Sequence, residues 1–289
     1  MKKNNSLSFW ILGILFAFFW SSASPAAKVG VQYADPLTLF QIRFFCAGLL
    51  MLAYLAISGQ WHFPTKKEWL PLAIFGILNI TLYLSLFVIA VTEIAAGIGS
   101  MATCLCPIII AFLGQVLYGK KIQWLHLVAL IIGFIGVAVA VWPLLQNSFA
   151  TPRGLFLLFL SMLSYSFGTL YFTSQTWTMN RLQINAWQVL LGGLFLLPFT
   201  IYFHEKPLLW ETNFILSELW LIIPVSILAV NLWLRLIAMD AAKAAMFMFL
   251  CPIFGFMLAS FLLKEPFTSY TLAGTVLVVI ALYLGNRKG

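Results

Sequence analysis

Long apolar stretches follow one another along almost the whole chain, separated by short polar segments. A helix rises about 1.5 Å per residue, so about 20 residues cross a hydrocarbon core of roughly 30 Å. Only 8% of the residues are charged and the mean hydropathy is +1.01, which excludes a soluble domain with a hydrated surface. We predict an all-α, polytopic membrane protein. The ten predicted spans are Phe9–Ala27, Leu37–Ile57, Trp69–Val91, Ile94–Tyr118, Trp124–Trp142, Gly154–Ser174, Ile184–Phe203, Leu219–Ala238, Ala241–Leu263 and Tyr270–Leu284.

Two halves of the chain resemble each other. Cys106-Pro107 and Cys251-Pro252 lie 145 residues apart, each within a long apolar stretch. The pattern predicts one unit present twice, as residues 1–145 and 146–289. Five spans per half is an odd number, so the second unit enters the membrane in the opposite orientation, as an inverted repeat. Further identities at this offset are Ser21 with Ser166, Gly48 with Gly193, Met101 with Met246, Leu113 with Leu258 and Leu127 with Leu272.

The first span also fits a cleavable secretory signal, because it follows Lys2 and Lys3 and ends in small residues. We expect it to be retained, since Trp20 aligns with Tyr165 of the second half and the repeat requires this helix.

Basic residues are distributed unevenly among the predicted loops. With a cytoplasmic N-terminus, eleven basic residues lie on the cytoplasmic side and four outside, with Arg43 inside the second span. This bias predicts a multi-pass protein of the cell inner (cytoplasmic) membrane with both termini in the cytoplasm. Short clusters in loops do not form a nucleic-acid surface. The cytoplasmic set is Lys2, Lys3, Lys66, Lys67, Lys120, Lys121, Arg181, Arg235, Lys243, Arg287 and Lys288, and the outer set is Lys28, Arg153, Lys206 and Lys264.

Several positions together resemble a known family. Trp20 and Tyr165 occupy matching places in the two halves, Lys28 ends the first helix, Arg43 lies in the second, and each half has its proline-containing helix. The whole chain is similar to the drug/metabolite transporter superfamily, in its ten-helix EamA branch. The resemblance implies export or facilitated passage of small metabolites, often amino acids, through a central cavity between the halves.

One segment matches that family in only one half. Leu263-Lys264-Glu265-Pro266 contains the acidic residue that the family usually has after the ninth helix, whereas the first half has Lys120 at the matching position. We therefore do not expect a symmetric role for this acid.

The two prolines predict kinks at mid-membrane depth. Each removes a backbone donor and displaces the carbonyl four residues earlier, on Thr103 and Met248. Such carbonyls need partners from neighbouring helices or a hydrated cavity, so Pro107 and Pro252 mark either a binding cavity or simple packing kinks.

Polar and aromatic side chains within the spans are candidates for lining that cavity. Buried amides either clasp a neighbouring helix or contact the substrate, deep aromatic rings form walls, and methionines give an adaptable lining or pack. The predicted substrate-binding set is Trp20, Ser24, Asn79, Tyr83, Met101, Pro107, Tyr165, Trp187, Gln188, Asn231, Trp233, Met246 and Pro252.

Two basic residues are candidates for gating or anion contact. Arg43 lies about 9 Å below the outer end of its helix and either snorkels, stabilises the fold or contacts an anionic substrate. Lys28 lies nearer the outer edge of the membrane, where it either anchors the helix at the interface or lines the external entrance to the cavity.

The acidic residues are predicted in loops or near span ends, and none at a span centre. We therefore expect no coupling through a midplane carboxylate, and facilitated movement down the substrate gradient.

The predicted partners are a small-molecule substrate and membrane lipid, with no cofactor, metal or nucleic acid. A multispan enzyme or a channel is the alternative, but titratable residues form no catalytic cluster and the interior looks mostly apolar. The substrate, the direction of transport and the oligomeric state stay open.

Overall fold

The computed structural model describes residues 2–119, 124–146, 150–264 and 268–285, and the regular secondary structure in these ranges is helical. The first helix begins at Lys2, and its membrane-length part is interrupted for one residue at Ser22. The helices are α1 (Ser8–Gly30), α2 (Pro36–Ile57), α3 (Trp69–Glu93), α4 (Ala96–Tyr118), α5 (Trp124–Gln146), α6 (Pro152–Ser174), α7 (Arg181–Tyr202), α8 (residues 212–239), α9 (residues 241–263) and α10 (Ser269–Gly285).

Helices α8 and α9 belong to one helical stretch, Thr212–Leu263, of 52 residues. This is too long for one crossing at about 1.5 Å per residue, and it is broken at Asp240, whose backbone is not helical. The Asp240 carboxylate accepts a hydrogen bond from the Lys243 backbone amide at 3.1 Å and so caps α9. The described chain therefore contains ten helical rods, which confirms the predicted all-α, ten-helix fold.

Backbone irregularities recur between the halves at nearly the offset found in the sequence. A π-helical segment, Ile77–Leu82, lies in α3, and another, Leu221–Ala229, lies in α8 and contains Pro224. Helices α4 and α9 both end at a left-handed residue, Gly119 with φ 62° and Lys264 with φ 55°. The recurrence agrees with a duplicated unit, although the predicted boundary at residue 145 stays a prediction.

The helix pairs also follow a twofold pattern. Extensive contacts join α2 with α7, α4 with α9 and α5 with α10. Others join α1 with α8 and α3 with α6, and α3 with α7 and α2 with α8. Exchanging each helix for the one five places along leaves this pattern unchanged, as expected for inverted repeats. The α5–α10 contact is close at Gly136 and Gly274, where an added Cβ would lie 2.8 Å and 2.3 Å from the other glycine's carbonyl oxygen.

Contacts between loops define two opposite faces of the helix bundle. The Lys28 face comprises residues 28–35, 91–96, 150–153 and 203–213, which hydrogen-bond or ion-pair with one another. The Glu68 face comprises residues 58–68 and 175–183, joined by Glu68 and Gln183, together with 238–243. Several residues named in the sequence analysis lie outside the described ranges: Lys120, Lys121, Glu265, Pro266, Arg287 and Lys288.

Candidate functional site

A small enclosed chamber lies deep between the helices. Its volume is about 10 Å³, which is room for about one water molecule. Only Val225 of α8 comes from the second half, so the chamber is built mainly by α1 to α4. The lining residues are Trp20, Ser21, Ala23, Ser24, Arg43, Tyr83, Leu84, Phe87, Gly99, Ser100, Thr103 and Val225.

An aromatic cluster, defined as Phe16, Trp20, Tyr83, Tyr165 and Trp233, joins this chamber to the second half. The ring centroids of Tyr83 and Tyr165 lie 4.8 Å apart, those of Phe16 and Trp233 4.9 Å, and those of Trp20 and Tyr165 5.6 Å. These are the separations of favourable ring packing, and all five side chains are buried. The predicted aromatic wall is therefore assembled from α1, α3, α6 and α8. Sequence reasoning missed Phe16, which nothing distinguishes from the other phenylalanines of α1.

Arg43 is the charged residue of the chamber lining. Its Nε donates to Ser226 Oγ at 2.7 Å, and its guanidinium carbon lies 4.7 Å from the centre of the Phe40 ring. Only 1% of the residue is exposed, so Arg43 does not snorkel to the surface. Its Nη1 has no hydrogen-bond partner among the described residues, which leaves a cationic donor available at the chamber.

The buried amides form a chain that clasps three helices. Asn79 Nδ2 donates to Gln188 Oε1 at 3.1 Å, and Gln188 Nε2 donates to Asn185 Oδ1 at 3.1 Å. Asn185 Nδ2 then donates to the Ser226 carbonyl at 2.9 Å, next to the hydroxyl that binds Arg43. The structure therefore shows Asn79 and Gln188 in a helix clasp, and their contact with a substrate stays a prediction. Sequence reasoning missed Asn185. The signal that could have found it is its three-residue spacing from Gln188, which places the two amides on the same face of α7.

Several predicted residues lie away from the chamber. The Trp187 ring packs 5.2 Å from Trp69 towards the Glu68 face, and Asn231 donates to the Ile227 carbonyl of its own helix at 2.6 Å. Met101 and Met246 are buried but do not line the chamber, which agrees with the packing alternative.

Pro107 and Pro252 each lie in the first turn of a helix that begins again after a break. Helix α4 breaks at residues 103–104, and a 3₁₀ turn, Phe247–Leu250, precedes the restart at Cys251. A proline in the first helical turn loses no hydrogen bond, because donors there have no helical partner. The Met248 carbonyl has a partner on a neighbouring helix, as predicted, since the Cys104 thiol donates to it at 3.4 Å. The Thr103 carbonyl instead accepts from Cys106 N of its own segment at 3.1 Å. Neither Pro107 nor Pro252 lines the chamber.

Serine hydroxyls join α1 to α4 beside the chamber. Ser24 Oγ donates to the Ala96 carbonyl at 2.8 Å, and Ser100 Oγ donates to the Ser21 carbonyl at 3.2 Å. A Cβ added to Gly99 would lie 2.5 Å from Ser24 Oγ, so this contact requires a glycine or a shifted serine. Ser24 was predicted for the site, whereas Ser100 was missed.

The Lys28 face is closed over the chamber. Lys28 Nζ donates to the carbonyls of Val91 and Ile94, both at 2.7 Å, at the C-terminus of α3, where a cation is favourable. Arg153 forms an ion pair with Glu93 at 2.9 Å on the same face. Lys28 thus ties α1 to the turn between α3 and α4.

The Glu68 face contains an open cavity of about 390 Å³, here called the vestibule. Phe172 and Ile237 in its wall follow Tyr165 and Trp233 by two turns and one turn of their helices. The aromatic cluster therefore lies between the vestibule and the chamber. The wall comprises Phe172, Thr173, Gln175, Trp177, Met179, Asn180, Arg181, Ile184, Ile237 and Ala238.

Glu218 departs from the expectation that every acid lies in a loop or near a span end. Helix α8 begins at Thr212 rather than Leu219, so Glu218 lies about two turns inside it. It is 5% exposed, and neither carboxylate oxygen has a hydrogen-bond partner in the described parts of the chain. The polar residues between Thr212 and Glu218 lowered the hydropathy and hid the start of this helix.

Sequence comparison identifies the family to which this architecture belongs. A profile of the EamA-like transporter family matches residues 8–142 and again residues 152–287. The chain belongs to the EamA-like transporter family. It is thus a multi-pass transporter of small molecules in a lipid membrane, and the predicted resemblance is confirmed. The family is one of transporters rather than enzymes.

Individual EamA-like relatives match over nearly the whole chain. The uncharacterized transporter YvbV of Bacillus subtilis is 28% identical over 280 residues, covering 95% of this chain and 91% of the relative. The uncharacterized inner membrane transporter YedA of Escherichia coli is 25% identical over 279 residues, covering 95% and 90%. A solved crystal structure with 16% identity has a TM-score of 0.77 and covers 96% of both chains, which shows a shared fold.

Proposed function

We propose that this EamA-like protein moves small amphipathic metabolites, with amino acids and related solutes foremost, across the inner membrane by alternating access. The observation that carries the proposal is the chamber, which is lined by Trp20 and Tyr83 of the aromatic cluster and by Arg43, whose Nη1 has no hydrogen-bond partner among the described residues. Aromatic rings suit the apolar part of such a solute, and a guanidinium suits its carboxylate.

The dimensions of the two cavities support movement of the helices. Pockets for small molecules usually measure about 300–1,000 Å³, so a chamber of about 10 Å³ holds no metabolite until the helices separate. The vestibule, at about 390 Å³, is large enough, and it lies behind the aromatic cluster. We infer a compact state, closed at the Lys28 face, from which the two halves rock around the chamber.

We further propose that the Glu68 face is cytoplasmic and the Lys28 face is outside. The Glu68 face and the adjacent helix ends contain Lys66, Lys67, Arg181 and Lys243, in accordance with the positive-inside bias. The vestibule then opens towards the cytoplasm, as an exporter or a facilitator requires.

Counterflow in sealed proteoliposomes tests the transport proposal. Vesicles are loaded with a panel of unlabelled amino acids and nucleobases, and entry of the labelled form of each is measured. We expect saturable counterflow of at least one amphipathic solute, reduced at least about tenfold by Trp20→Leu, which removes one ring of the cluster. Asn231→Ala is the matched control, because among the described residues Asn231 bonds only within its own helix turn and to Met51.

The outcome also separates the rival functions. Non-saturating flux would indicate a channel, and chemical conversion of a solute would indicate an enzyme. Equal loss in Trp20→Leu and Asn231→Ala would contradict the assignment of the chamber as the binding site.

A further inference from the structure

Two buried side chains of opposite charge lie in the membrane without neutralising each other by direct contact. Arg43 and Glu218 are near enough to interact electrostatically, yet they share no ion pair or hydrogen bond. Arg43 is 1% exposed and Glu218 5% exposed. Within the described chain, Arg43 Nη1 and both oxygens of Glu218 lack partners altogether.

The backbones of the two residues lie at similar depth. Arg43 follows Pro36, the first residue of α2, by seven residues, and Glu218 follows Thr212, the first of α8, by six. Both Cα atoms therefore lie about 10 Å from the ends of their helices at the Lys28 face, and the Arg43 side chain extends deeper. Ser226, the hydrogen-bond partner of Arg43, is two turns further along the helix that contains Glu218.

This arrangement is poor as a purely structural ion pair. A buried pair stabilises a fold only where direct geometry and further hydrogen bonds compensate for the lost hydration. Here direct contact is missing, Arg43 has one hydrogen bond, to Ser226, and Glu218 has none within the described chain. Ionisable residues inside a membrane usually serve transport or proton transfer. The unsatisfied atoms thus indicate a state prepared to bind other groups.

Building on the proposed function, we propose that the protein binds one carboxylate-bearing substrate together with one proton, the carboxylate at Arg43 and the proton at Glu218. Arg43 lines the chamber and Glu218 does not, so the substrate contacts the guanidinium and not the acid. With Glu218 ionised and the chamber empty, Arg43 and Glu218 together carry no net charge. A bound carboxylate adds one negative charge, and protonation of Glu218 restores neutrality in a medium where net charge is costly.

The coupling step forms one O–H bond, on Glu218, with the proton taken from water on the side where the substrate enters. Release of the substrate on the other side returns the proton to water there, so one proton moves with each carboxylate. A zwitterionic solute carries its own compensating ammonium and needs no proton.

Few other titratable groups face this pair. On α2, packed against α8, the Cys46 thiol interacts electrostatically with Glu218, and on α3 the Tyr83 hydroxyl interacts with Arg43. On α1, the charged group is Lys28, whose ammonium is bound by the carbonyls of Val91 and Ile94. None of these is a carboxylate, which leaves Glu218 as the proton acceptor.

The test measures proton uptake on binding, using 3-phenyllactate as the probe and phenylalanine as its zwitterionic counterpart. Purified protein in weakly buffered detergent is titrated with each compound from about pH 6 to about pH 9, with a pH indicator as the readout. We expect uptake approaching one proton per bound phenyllactate at the most favourable pH, and none with phenylalanine.

Three variants assign the residues. Glu218→Gln should bind phenyllactate without taking up a proton, and Arg43→Gln should lose binding at least about tenfold. Glu211→Gln, at an exposed acid just before α8, should behave like the wild type. A folded monodisperse peak and unchanged thermal unfolding in each variant exclude misfolding.

The outcomes separate this inference from the proposed function. Phenyllactate binding without proton uptake, uptake that persists in Glu218→Gln, or no phenyllactate binding would each overturn the inference. Saturable counterflow of another solute would still support the transport proposal in all three cases. Absence of any saturable counterflow would instead refute the transport proposal.

Discussion

At the scale of single residues, Glu68 shows how one carboxylate joins two loops at the Glu68 face. Its Oε2 accepts hydrogen bonds from Thr65 N and Oγ1 at 2.9 and 2.7 Å, and its Oε1 accepts them from Thr178 N and Oγ1 at 3.1 and 2.7 Å. Burial opposes ionisation, but the hydrogen bonds together outweigh it and lower the pKa of Glu68 from 4.5 to about 2.

The pKa of Glu68 predicts an acid-dependent contribution to stability. Because the folded pKa is below the unfolded value, the contribution is complete above pH 4.5 and is lost as the pH falls towards about 2. A shift of this size corresponds to about 3 kcal/mol, and Glu68→Gln should remove it. Thermal unfolding in detergent between about pH 6 and pH 3 measures the effect.

The exposed Glu205 provides the control for this measurement, since it lies on the opposite face. Glu205→Gln should keep the pH dependence of the wild type, whereas Glu68→Gln should unfold earlier at neutral pH and change less on acidification. Parallel pH curves for Glu68→Gln and the wild type would contradict the assigned role.

Residue types in the sequence indicated the chamber only in part. Trp20, Tyr83 and Arg43 were predictable because amphipathic rings and a lone charge inside a span stand out against apolar neighbours. The hydrogen-bond partner of each buried amide was not predictable, because Asn79 contacts Gln188 only through the packing of α3 on α7. Glu218 was misplaced because hydropathy locates the apolar part of a helix and not its polar first turns.

At the scale of helices, the number of helices follows from local sequence, whereas the pairing of helices depends on the tertiary arrangement. The number of helices was predictable, since each apolar stretch must form a helix to satisfy its backbone in lipid. The break of α4 was predicted as a proline kink, but the structure shows a helix that ends and restarts, and the Cys104 thiol at this break donates to the Met248 carbonyl of α9. Such cross-helix partners depend on the tertiary arrangement and have no local sequence signal.

The close approach of α5 and α10 gives a prediction at this scale. A Cβ at Gly274 would lie 2.3 Å from the backbone carbonyl oxygen of Gly136. A backbone atom cannot avoid this clash by changing rotamer, as a side chain can. Gly274→Val should therefore push the two helices apart and destabilise the protein by about 1–3 kcal/mol. Thermal unfolding in detergent measures the shift.

Ala273 is the matched control, because it is the next residue of α10 and is exposed on the outer surface of the bundle. Ala273→Val should change the unfolding temperature little. Equal stability of Gly274→Val and Ala273→Val would show that α5 and α10 do not pack at this glycine.

At the scale of the whole molecule, contacts between the two halves close the Lys28 face. On the Lys28 face, backbone contacts join the halves directly, as where Leu209 N donates to Tyr33 O at 2.9 Å. On the Glu68 face, Glu68 and Gln183 also join the halves, and the vestibule lies within the second half, between the end of α6 and α8. If transport proceeds by rocking of the halves, the contact between Tyr33 and Leu209 must break in every cycle.

A cross-link at this contact should therefore stop transport. Cys46 is exposed, while Cys104, Cys106 and Cys251 are buried, so Cys46→Ala removes the accessible native thiol. In that background, Tyr33→Cys with Leu209→Cys places two thiols on backbones already in contact, within range of a short bis-thiol reagent. Counterflow should fall to the level of empty vesicles after cross-linking, whereas each single cysteine variant treated with the same reagent should keep its activity. Undiminished counterflow in the fully cross-linked protein would mean that the Lys28 face stays closed during transport, and alternating access around this chamber would then be wrong.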